Sequence, residues 1–188
     1  MLNILTKYLA VMLLTACSFQ LCKAAPNYTP GDTTHAGYPN KPTDISPLLI
    51  GETIPTVNIP DANGKSFDLN AQAAKKPTIL IFYRGGWCPF CNKELAGIQS
   101  AQANLVKMGY QIIAISTDSP ENLTKSIGKH QLSYMLLSDS DLGISKQFGI
   151  AFKAPAAYDK TITEGSAGKN VDKLLPVPSV FILDKKGV

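Results

Sequence analysis

The stretch TILIFYRGGWCPFCNKEL, residues 78–95, decides the fold because it predicts a strand, a tight turn and a helix in direct succession. Residues 78–83 are a continuous apolar run rich in β-branched and aromatic side chains, which is typical of a strand buried on both faces. Two glycines follow, and apolar residues then recur at helical spacing from Pro89 to about Met108. Because proline favours the first position of a helix, we expect Cys88–Cys91 to lie at a helix N-terminus.

The two cysteines of this segment have the spacing of a redox pair. Unpaired N–H groups and the helix dipole favour a negative charge at a helix N-terminus, so a thiolate is stabilised there. Residues three apart in a helical turn have Cα atoms about 5–6 Å apart, which a disulfide accepts. A structural disulfide closing so short a loop restrains the unfolded chain little, and a zinc ribbon needs a second CxxC. The sequence therefore favours redox chemistry at Cys88 and Cys91, with no metal and no other cofactor.

The chain after this segment alternates predicted strands and helices, and a hairpin is predicted before it. A turn at residues 61–64 (DANG) is expected to join two short strands, since Asn-Gly supplies the positive φ angles of a tight turn. This alternation indicates an α/β sheet with right-handed crossovers. The further predicted elements are strands at 111–116, 134–137 and 179–184, a helix opened by Ser119 and Pro120, and a short helix within 138–149.

The N-terminal residues 1–24 are predicted to be a signal peptide, because Lys7 precedes a short apolar run. Cleavage after Ala24 removes Cys17 and Cys22 and leaves a matched cysteine pair, whereas a lipobox ending at Cys17 would attach a lipid. We therefore expect an exported protein of the bacterial periplasm, in contact with the membrane only if Cys17 is lipidated.

The remaining chain is predicted to contain a linker and one domain. Residues 25–46 are rich in proline and poor in large apolar groups, as expected of a flexible linker, and the domain is expected at 47–188. Lys186–Gly187 has the character of a turn into a further strand, so the domain is expected to be truncated at its C-terminus. The net charge is +4 but the lysines are scattered, which argues against nucleic-acid binding.

FYRGGWCPFCNKEL, together with IIAISTDSPEN, LLSDSDLGISKQFGI and VPSVFILDKKG, resembles the alkyl hydroperoxide reductase/thiol-specific antioxidant family. More narrowly, it resembles the peroxiredoxin-like members that carry a WCPxC segment. The resemblance covers about residues 47–188. It implies a thioredoxin-like fold, with a central mixed sheet flanked by helices, and the thiol-dependent reduction of hydrogen peroxide or alkyl hydroperoxides.

The resemblance also implies roles for the two sulfurs. The family's Pro-x-x-x-Thr-x-x-Cys motif ends in the peroxidatic cysteine, and alignment on Glu94 and Leu95 places that cysteine on Cys91. Cys88 then takes the threonine position and Arg84 the proline position. Cys91 would attack the peroxide, Cys88 would resolve the sulfenic acid to a disulfide, and a thioredoxin-like protein would reduce it.

Two departures from the family pattern keep an alternative open. The threonine is replaced, and the segment LLPVPS lacks the later arginine that usually supports the peroxidatic thiolate. Val177-Pro178-Ser179 instead resembles the cis-proline segment of thioredoxins. In a thioredoxin-like thiol-disulfide oxidoreductase, Cys88 would be the nucleophile and Cys91 would resolve. A metal chaperone of the same fold is disfavoured, since such proteins pair CxxxC with a distal histidine and none follows His130.

Other residues near the cysteines are candidates for supporting roles. Arg84 is the only arginine of the chain, so its planar guanidinium is a candidate to hold a thiolate or a peroxide oxygen, or else an ordinary strand-end residue. Trp87 is expected to form an apolar wall. Glu94 is a candidate for proton transfer or for an ion pair with Arg84, or serves the dipole of the first helical turn. Asp118 is predicted to be a turn former, and Pro178 to follow a cis bond.

Overall fold

Strands and helices alternate around a mixed central sheet in the computed structural model, which describes residues 37–188. The strands are β1 (Asn58–Pro60), β2 (Ser66–Asp68), β3 (Thr78–Tyr83), β4 (Gln111–Ser116), β5 (Met135–Ser138), β6 (Ala151–Lys153), β7 (Leu174–Pro176) and β8 (Ser179–Leu183). The helices are α1 (Leu69–Ala73), α2 (Pro89–Lys107), α3 (Pro120–His130), α4 (Gly143–Gln147) and α5 (Asp159–Gly165), with a short 3₁₀ turn at Ala156–Tyr158.

The central sheet has the strand order β5-β4-β3-β8. β3 pairs in parallel with β4, and β4 in parallel with β5, while β8 runs antiparallel to β3. Two smaller antiparallel pairs, β1 with β2 and β6 with β7, lie outside it. The predicted architecture, a mixed sheet with helical crossovers, is therefore present.

Alternate residues of β3 enter two separate apolar cores, as the period-two geometry of a strand requires. Leu80 and Phe82 pack on one side, where the Phe82 ring lies 4.8 Å from the ring of Phe148. Ile81 and Tyr83 pack on the other side, against α2 and α3. Both layers are filled, so the strand that carries the cysteine loop is held firmly from two faces.

Most predicted elements are confirmed, with small shifts. β3 and β4 have the predicted bounds, and α2 ends at Lys107, one residue before its C-cap Met108. β5 is Met135–Ser138 rather than 134–137, because its ladder with β4 begins at Met135. Four elements were not predicted: α1, β6, β7 and α5. They have three to seven residues, too few for a periodic pattern to stand out.

The predicted boundary between linker and domain at residue 47 stays a prediction, and the described part of the chain begins before it, at Gly37. Residues 37–46 contain neither helix nor strand. They are nevertheless held to the domain, because Lys153 N–H donates to Pro39 O (2.7 Å) and Ser46 N–H donates to Gly149 O (3.1 Å). The predicted signal peptide 1–24, and the linker as far as residue 36, lie outside the described residues. None of the described helices combines the length and the apolar character needed to cross a bilayer.

Candidate active site

The cysteine pair lies where β3 delivers the chain to the start of α2, as the sequence predicts. Cys88 is the N-cap of α2, with φ −87° and ψ 115°, and Pro89 is the first helical residue. The Cys91 N–H donates to Cys88 Sγ over 3.4 Å. Both sulfurs therefore belong to the first turn of one helix, at the end that favours negative charge.

The two thiols are buried, while the residues between them are exposed. Cys88 and Cys91 are 5% and 4% exposed, and Phe90 is 85% exposed. Burial raises the pKa of Cys91 to about 12, helped by the hydrogen bond and charge of Cys88 and opposed by hydrogen bonds from the backbone of Arg84 and Gly85. Because each thiol acts on the other, the first proton lost belongs to the pair rather than to one residue.

The glycine pair before Trp87 allows the chain to turn tightly between β3 and α2. Gly85 has a φ of +151°, and a side chain there would crowd the Trp87 indole. A Cβ at Gly86 would overlap the hydroxyl oxygen of Ser126 in α3. The RGGW loop, defined as residues 84–87, therefore requires glycine at both positions.

The backbone of the RGGW loop is clamped by side chains from two directions. From the end of β4, Asp118 Oδ2 accepts from Gly86 N–H (2.7 Å), and Thr117 Oγ1 donates to Arg84 O (2.8 Å). From α2, Asn92 Nδ2 donates to Gly86 O (2.8 Å). The backbone of Gly86 is thus fixed through both its N–H and its carbonyl group.

Asp118, predicted to be a turn former, is a buried residue between β4 and α3 whose carboxylate accepts hydrogen bonds. Its side chain is only 3% exposed, and Oδ2 also accepts from Ser116 Oγ (3.1 Å). Burial raises the pKa of Asp118, while the hydrogen bonds from Gly86 and Ser116 lower it. Neighbouring parallel strands end at one edge of a sheet, so a polar residue directly after β4 lies beside the loop that follows β3. That signal would have identified Asp118.

Arg84 and Trp87 flank the cysteines with unused hydrogen-bond donors. Both Arg84 Nε and Trp87 Nε1 are buried without a hydrogen-bond partner in the described part of the chain. No carboxylate of residues 37–188 forms an ion pair with Arg84. The Trp87 ring packs 5.5 Å from that of Tyr158. Arg84 and Trp87 therefore each contain a buried N–H group without an acceptor among the described residues.

Two expectations for Glu94 and one for Pro178 are wrong. Glu94 is exposed and forms no ion pair with Arg84, and the first turn of α2 contains no acidic residue. Glu94 lies in the second turn of a helix that begins at Pro89, as predicted, and a role in proton transfer stays a prediction. The bond before Pro178 is trans, since the described residues contain no cis peptide bond. Pro178 is exposed and joins β7 to β8, and the preceding Val177 N–H bonds to Ile150 O (2.9 Å).

A cavity of about 290 Å³ adjoins the RGGW loop on the side of α3 and α5. Its lining includes Trp87 and Asp118 from the site and Lys125, Lys129 and Glu164 from the two helices, whereas neither cysteine lines it. Among residues 37–188, no three His, Cys, Asp or Glu side chains come together as metal ligands.

Comparison with known proteins agrees with this geometry. Residues 50–188 match the family described as "AhpC/TSA family". The chain belongs to the AhpC/TSA family. It is 31% identical to "Peroxiredoxin Bcp" of Escherichia coli (strain K12) over 106 residues, which are 56% of this chain and 67% of that protein. It is 28% identical to "Peroxiredoxin Q, chloroplastic" of Populus jackii over 148 residues, 79% of this chain and 61% of the relative.

Solved structures confirm the fold of this AhpC/TSA protein. Peroxidoxin BcpB from Mycobacterium tuberculosis superposes with a TM-score of 0.60 at 24% identity, over 73% of this chain and 79% of that one. Reduced Prx3 from Vibrio vulnificus, in complex with hydrogen peroxide, gives 0.63 at 17% identity over 75% and 83%. The predicted thioredoxin-like fold and the predicted enzyme class, a peroxidase oxidoreductase, are both confirmed.

Proposed function

We propose that this chain is an exported thiol-dependent peroxidase in which Cys91 attacks the peroxide and Cys88 resolves the product. The Cys91 thiolate takes the terminal oxygen of ROOH, the O–O bond breaks, and the alkoxide leaves as ROH after taking a proton. The Cys88 thiol then attacks the sulfur of the Cys91 sulfenic acid. The hydroxide that it displaces takes the proton of the thiol and leaves as water. A Cys88–Cys91 disulfide results, and a thioredoxin-like dithiol protein reduces it.

One observation carries the proposal: both sulfurs lie in the first turn of α2, with Cys91 N–H bonded to Cys88 Sγ over 3.4 Å. Residues three apart in one helical turn have Cα atoms within the range that a disulfide accepts, so the Cys88 thiol is placed to resolve the Cys91 sulfenic acid. The exposed residues between the cysteines, including Phe90, leave the pair open to a protein reductant from that side.

Arg84 supplies a second element of the proposal. A guanidinium is always charged and presents several donors in one plane, so it stabilises the negative oxygen that develops as the O–O bond breaks. Its Nε is buried and has no partner among the described residues. A donor held ready in this way loses little energy to reorganisation when the peroxide arrives.

The exchanged roles are a second candidate, a thiol-disulfide oxidoreductase with Cys88 as nucleophile. The observation in its favour is that Cys88, as the N-cap, accepts the Cys91 N–H, while burial raises the pKa of Cys91 to about 12. The N–H groups of the helix terminus therefore stabilise a negative charge on Cys88 more directly than a negative charge on Cys91.

Single-cysteine variants distinguish the two candidates. In a chain with Cys17 and Cys22 changed to serine, Cys88→Ser and Cys91→Ser are each treated with stoichiometric hydrogen peroxide and dimedone. A dimedone adduct on Cys91 in the Cys88→Ser variant supports the peroxidase. A lack of any adduct, together with a stable mixed disulfide between Cys88 and an oxidised protein in the Cys91→Ser variant, supports the oxidoreductase. If neither variant alters a thiol reaction, both candidates fail.

Export is the part of the proposal that rests on residues 1–24 alone. The mass of the mature protein tests it. Cleavage after Ala24 supports a soluble periplasmic enzyme, a lipidated Cys17 supports a membrane anchor, and an intact N-terminus contradicts export.

A further inference from the structure

The RGGW loop joins the sheet to the reacting helix, so whatever fixes the loop fixes the sulfurs. Its Gly85 carbonyl accepts from Cys88 N–H (3.1 Å), and the backbone of Arg84 and Gly85 also forms hydrogen bonds that favour a charge on Cys91. A displaced loop would therefore move the helix cap and weaken the donors around the sulfurs together.

Building on the proposed function, we propose that Asp118 is a positioning residue for the cysteine pair, acting through the backbone of Gly86. The link is direct, because Gly86 N–H donates to Asp118 Oδ2 over 2.7 Å. The Gly86 carbonyl accepts from Asn92 Nδ2 of α2. Asp118 and Asn92 thus hold the two backbone polar groups of Gly86 between the end of the sheet and the helix that carries both sulfurs.

Asp118 is itself firmly oriented. Ser116 Oγ donates to the same carboxylate oxygen (3.1 Å) and accepts from the Asp118 N–H (3.2 Å). Ser138 Oγ of β5 donates to the Asp118 carbonyl (2.6 Å). The carboxylate therefore has a fixed place relative to two strands, which a side chain needs if it is to position another group.

Burial of the Asp118 carboxylate costs free energy, which indicates that the residue has a function at this position. Removing a carboxylate from water is unfavourable, and Asp118 has no ion-pair partner among the described residues to offset that cost. A charged acceptor, however, makes a stronger bond to a backbone N–H than a neutral one. The titratable groups that share its cavity are Lys125 and Lys129 of α3 and Glu164 of α5, and Tyr83 of β3 feels its charge.

Asp139 provides a matched control. It is equally buried, at 2% exposed, and its carboxylate accepts from Ile144 N–H (2.9 Å) and Ser145 N–H (2.8 Å) at the start of α4. It has no hydrogen bond to the RGGW loop. Loss of either carboxylate weakens the fold, but only loss of Asp118 releases the loop.

The test compares Asp118→Ala, Asp118→Asn and Asp139→Ala in the chain with Cys17 and Cys22 changed to serine. The first readout is the pH profile of iodoacetamide alkylation of the reduced pair, and the second is the rate of Cys88–Cys91 disulfide formation with hydrogen peroxide. Asp118→Ala is expected to raise the apparent thiol pKa by about one unit and to slow disulfide formation roughly tenfold. Asp118→Asn keeps an acceptor for Gly86 N–H and is expected to restore the rate to within about threefold.

Two outcomes would overturn the proposal: equal thiol pKa values in Asp118→Ala and Asp139→Ala, or an Asp118→Asn variant as impaired as Asp118→Ala. Should Asp118→Ala fail to fold, Asn92→Ala instead removes the hydrogen bond from α2 to the Gly86 carbonyl. It is expected to shift the thiol pKa in the same direction, and an unchanged pKa would contradict the proposal. The alkylation readout needs no peroxide, so failure of the peroxidase leaves it interpretable.

Discussion

Helices α2 and α3 begin with the same backbone arrangement, but only α2 has a sulfur-containing side chain at its N-cap. Each follows a parallel strand of the central sheet, each has proline in its first turn, and each is capped by a side chain that accepts an N–H three residues later over 3.4 Å. The cap is Cys88 in α2 and Ser119 in α3, and the two are buried alike.

The difference lies in what surrounds the two caps. The residue that donates to Cys88 is a second cysteine, and the preceding RGGW loop is clamped by Asp118 and Asn92. The residue that donates to Ser119 is Asn122, whose side chain donates to the carbonyl groups of Glu164 and Gly165. The same helix start thus serves stability in α3, and in α2 it is combined with a partner thiol and a fixed loop.

The largest expected effect is on peroxide consumption, which substitutions at the two helix starts should change to very different extents. Cys91→Ser is expected to lower peroxide consumption at least about a hundredfold, because the proposed attacking thiolate is removed and no Cys88–Cys91 disulfide can form. Ser119→Ala, which removes only a cap, is expected to stay within about twofold. Peroxide consumption with a dithiol reductant measures both. Equal loss in the two variants would show that the helix start matters only through folding.

A third helix start, that of α4, can be compared with these two through the pH dependence of stability. Its first N–H groups donate to the carboxylate of Asp139. Burial raises the pKa of Asp139 to about 6 from an ordinary value of 3.8. The folded protein therefore holds an additional proton between these values, and this contribution to stability is lost as the pH rises through 6.

We accordingly expect the free energy of unfolding to fall by roughly 2 kcal/mol in this window, in urea titrations at pH 4 and pH 7. Asp139→Asn is expected to flatten the slope. An unchanged slope in that variant would assign the titration to another group, with Asp118 the next to be tested.

A transplanted cysteine tests whether the cap alone creates reactivity. Ser119→Cys, made in a chain whose four cysteines are replaced by serine, places a buried thiol at the N-cap of α3. Without the clamped loop, it is expected to react with hydrogen peroxide about tenfold more slowly than Cys91 in the Cys88→Ser chain. Dimedone labelling rates measure this, and equal rates would show that a helix N-terminus is sufficient.

The smallest expected effect concerns the stability of the caps. Ser119→Ala is expected to lower the free energy of unfolding by about 1 kcal/mol, since an orphan N–H loses its acceptor. Cys88→Ser is expected to raise it by a few tenths or leave it unchanged, because oxygen accepts better than sulfur. Urea denaturation of the reduced proteins measures both. A large destabilisation by Cys88→Ser would mean that the sulfur has a packing role.

The sequence predicts the parts of the site that depend on local pattern. The apolar run of β3, the glycine pair and Pro89 are enough to place both cysteines at the start of α2, as the structure has them. The family resemblance adds the fold and the enzyme class. These features are set by neighbours in the chain, so a single sequence contains them.

The features that the sequence missed depend on contacts across the fold. Asp118 lies far from Gly86 in the chain, and its burial follows from the pairing of β4 with β3. Glu94 is an exception, because the predicted helix start at Pro89 already places it in the second turn. The trans bond before Pro178 follows from the path between β7 and β8, which no local pattern displays.

The most direct test of the central claim is peptide mapping of the reduced chain after stoichiometric hydrogen peroxide, without added reductant. We expect the loss of two hydrogens from a peptide that contains both Cys88 and Cys91, reversed by a dithiol, with the far-ultraviolet circular dichroism of the protein unchanged. A protein that keeps both thiols free, or that links either of them to another cysteine, would contradict it.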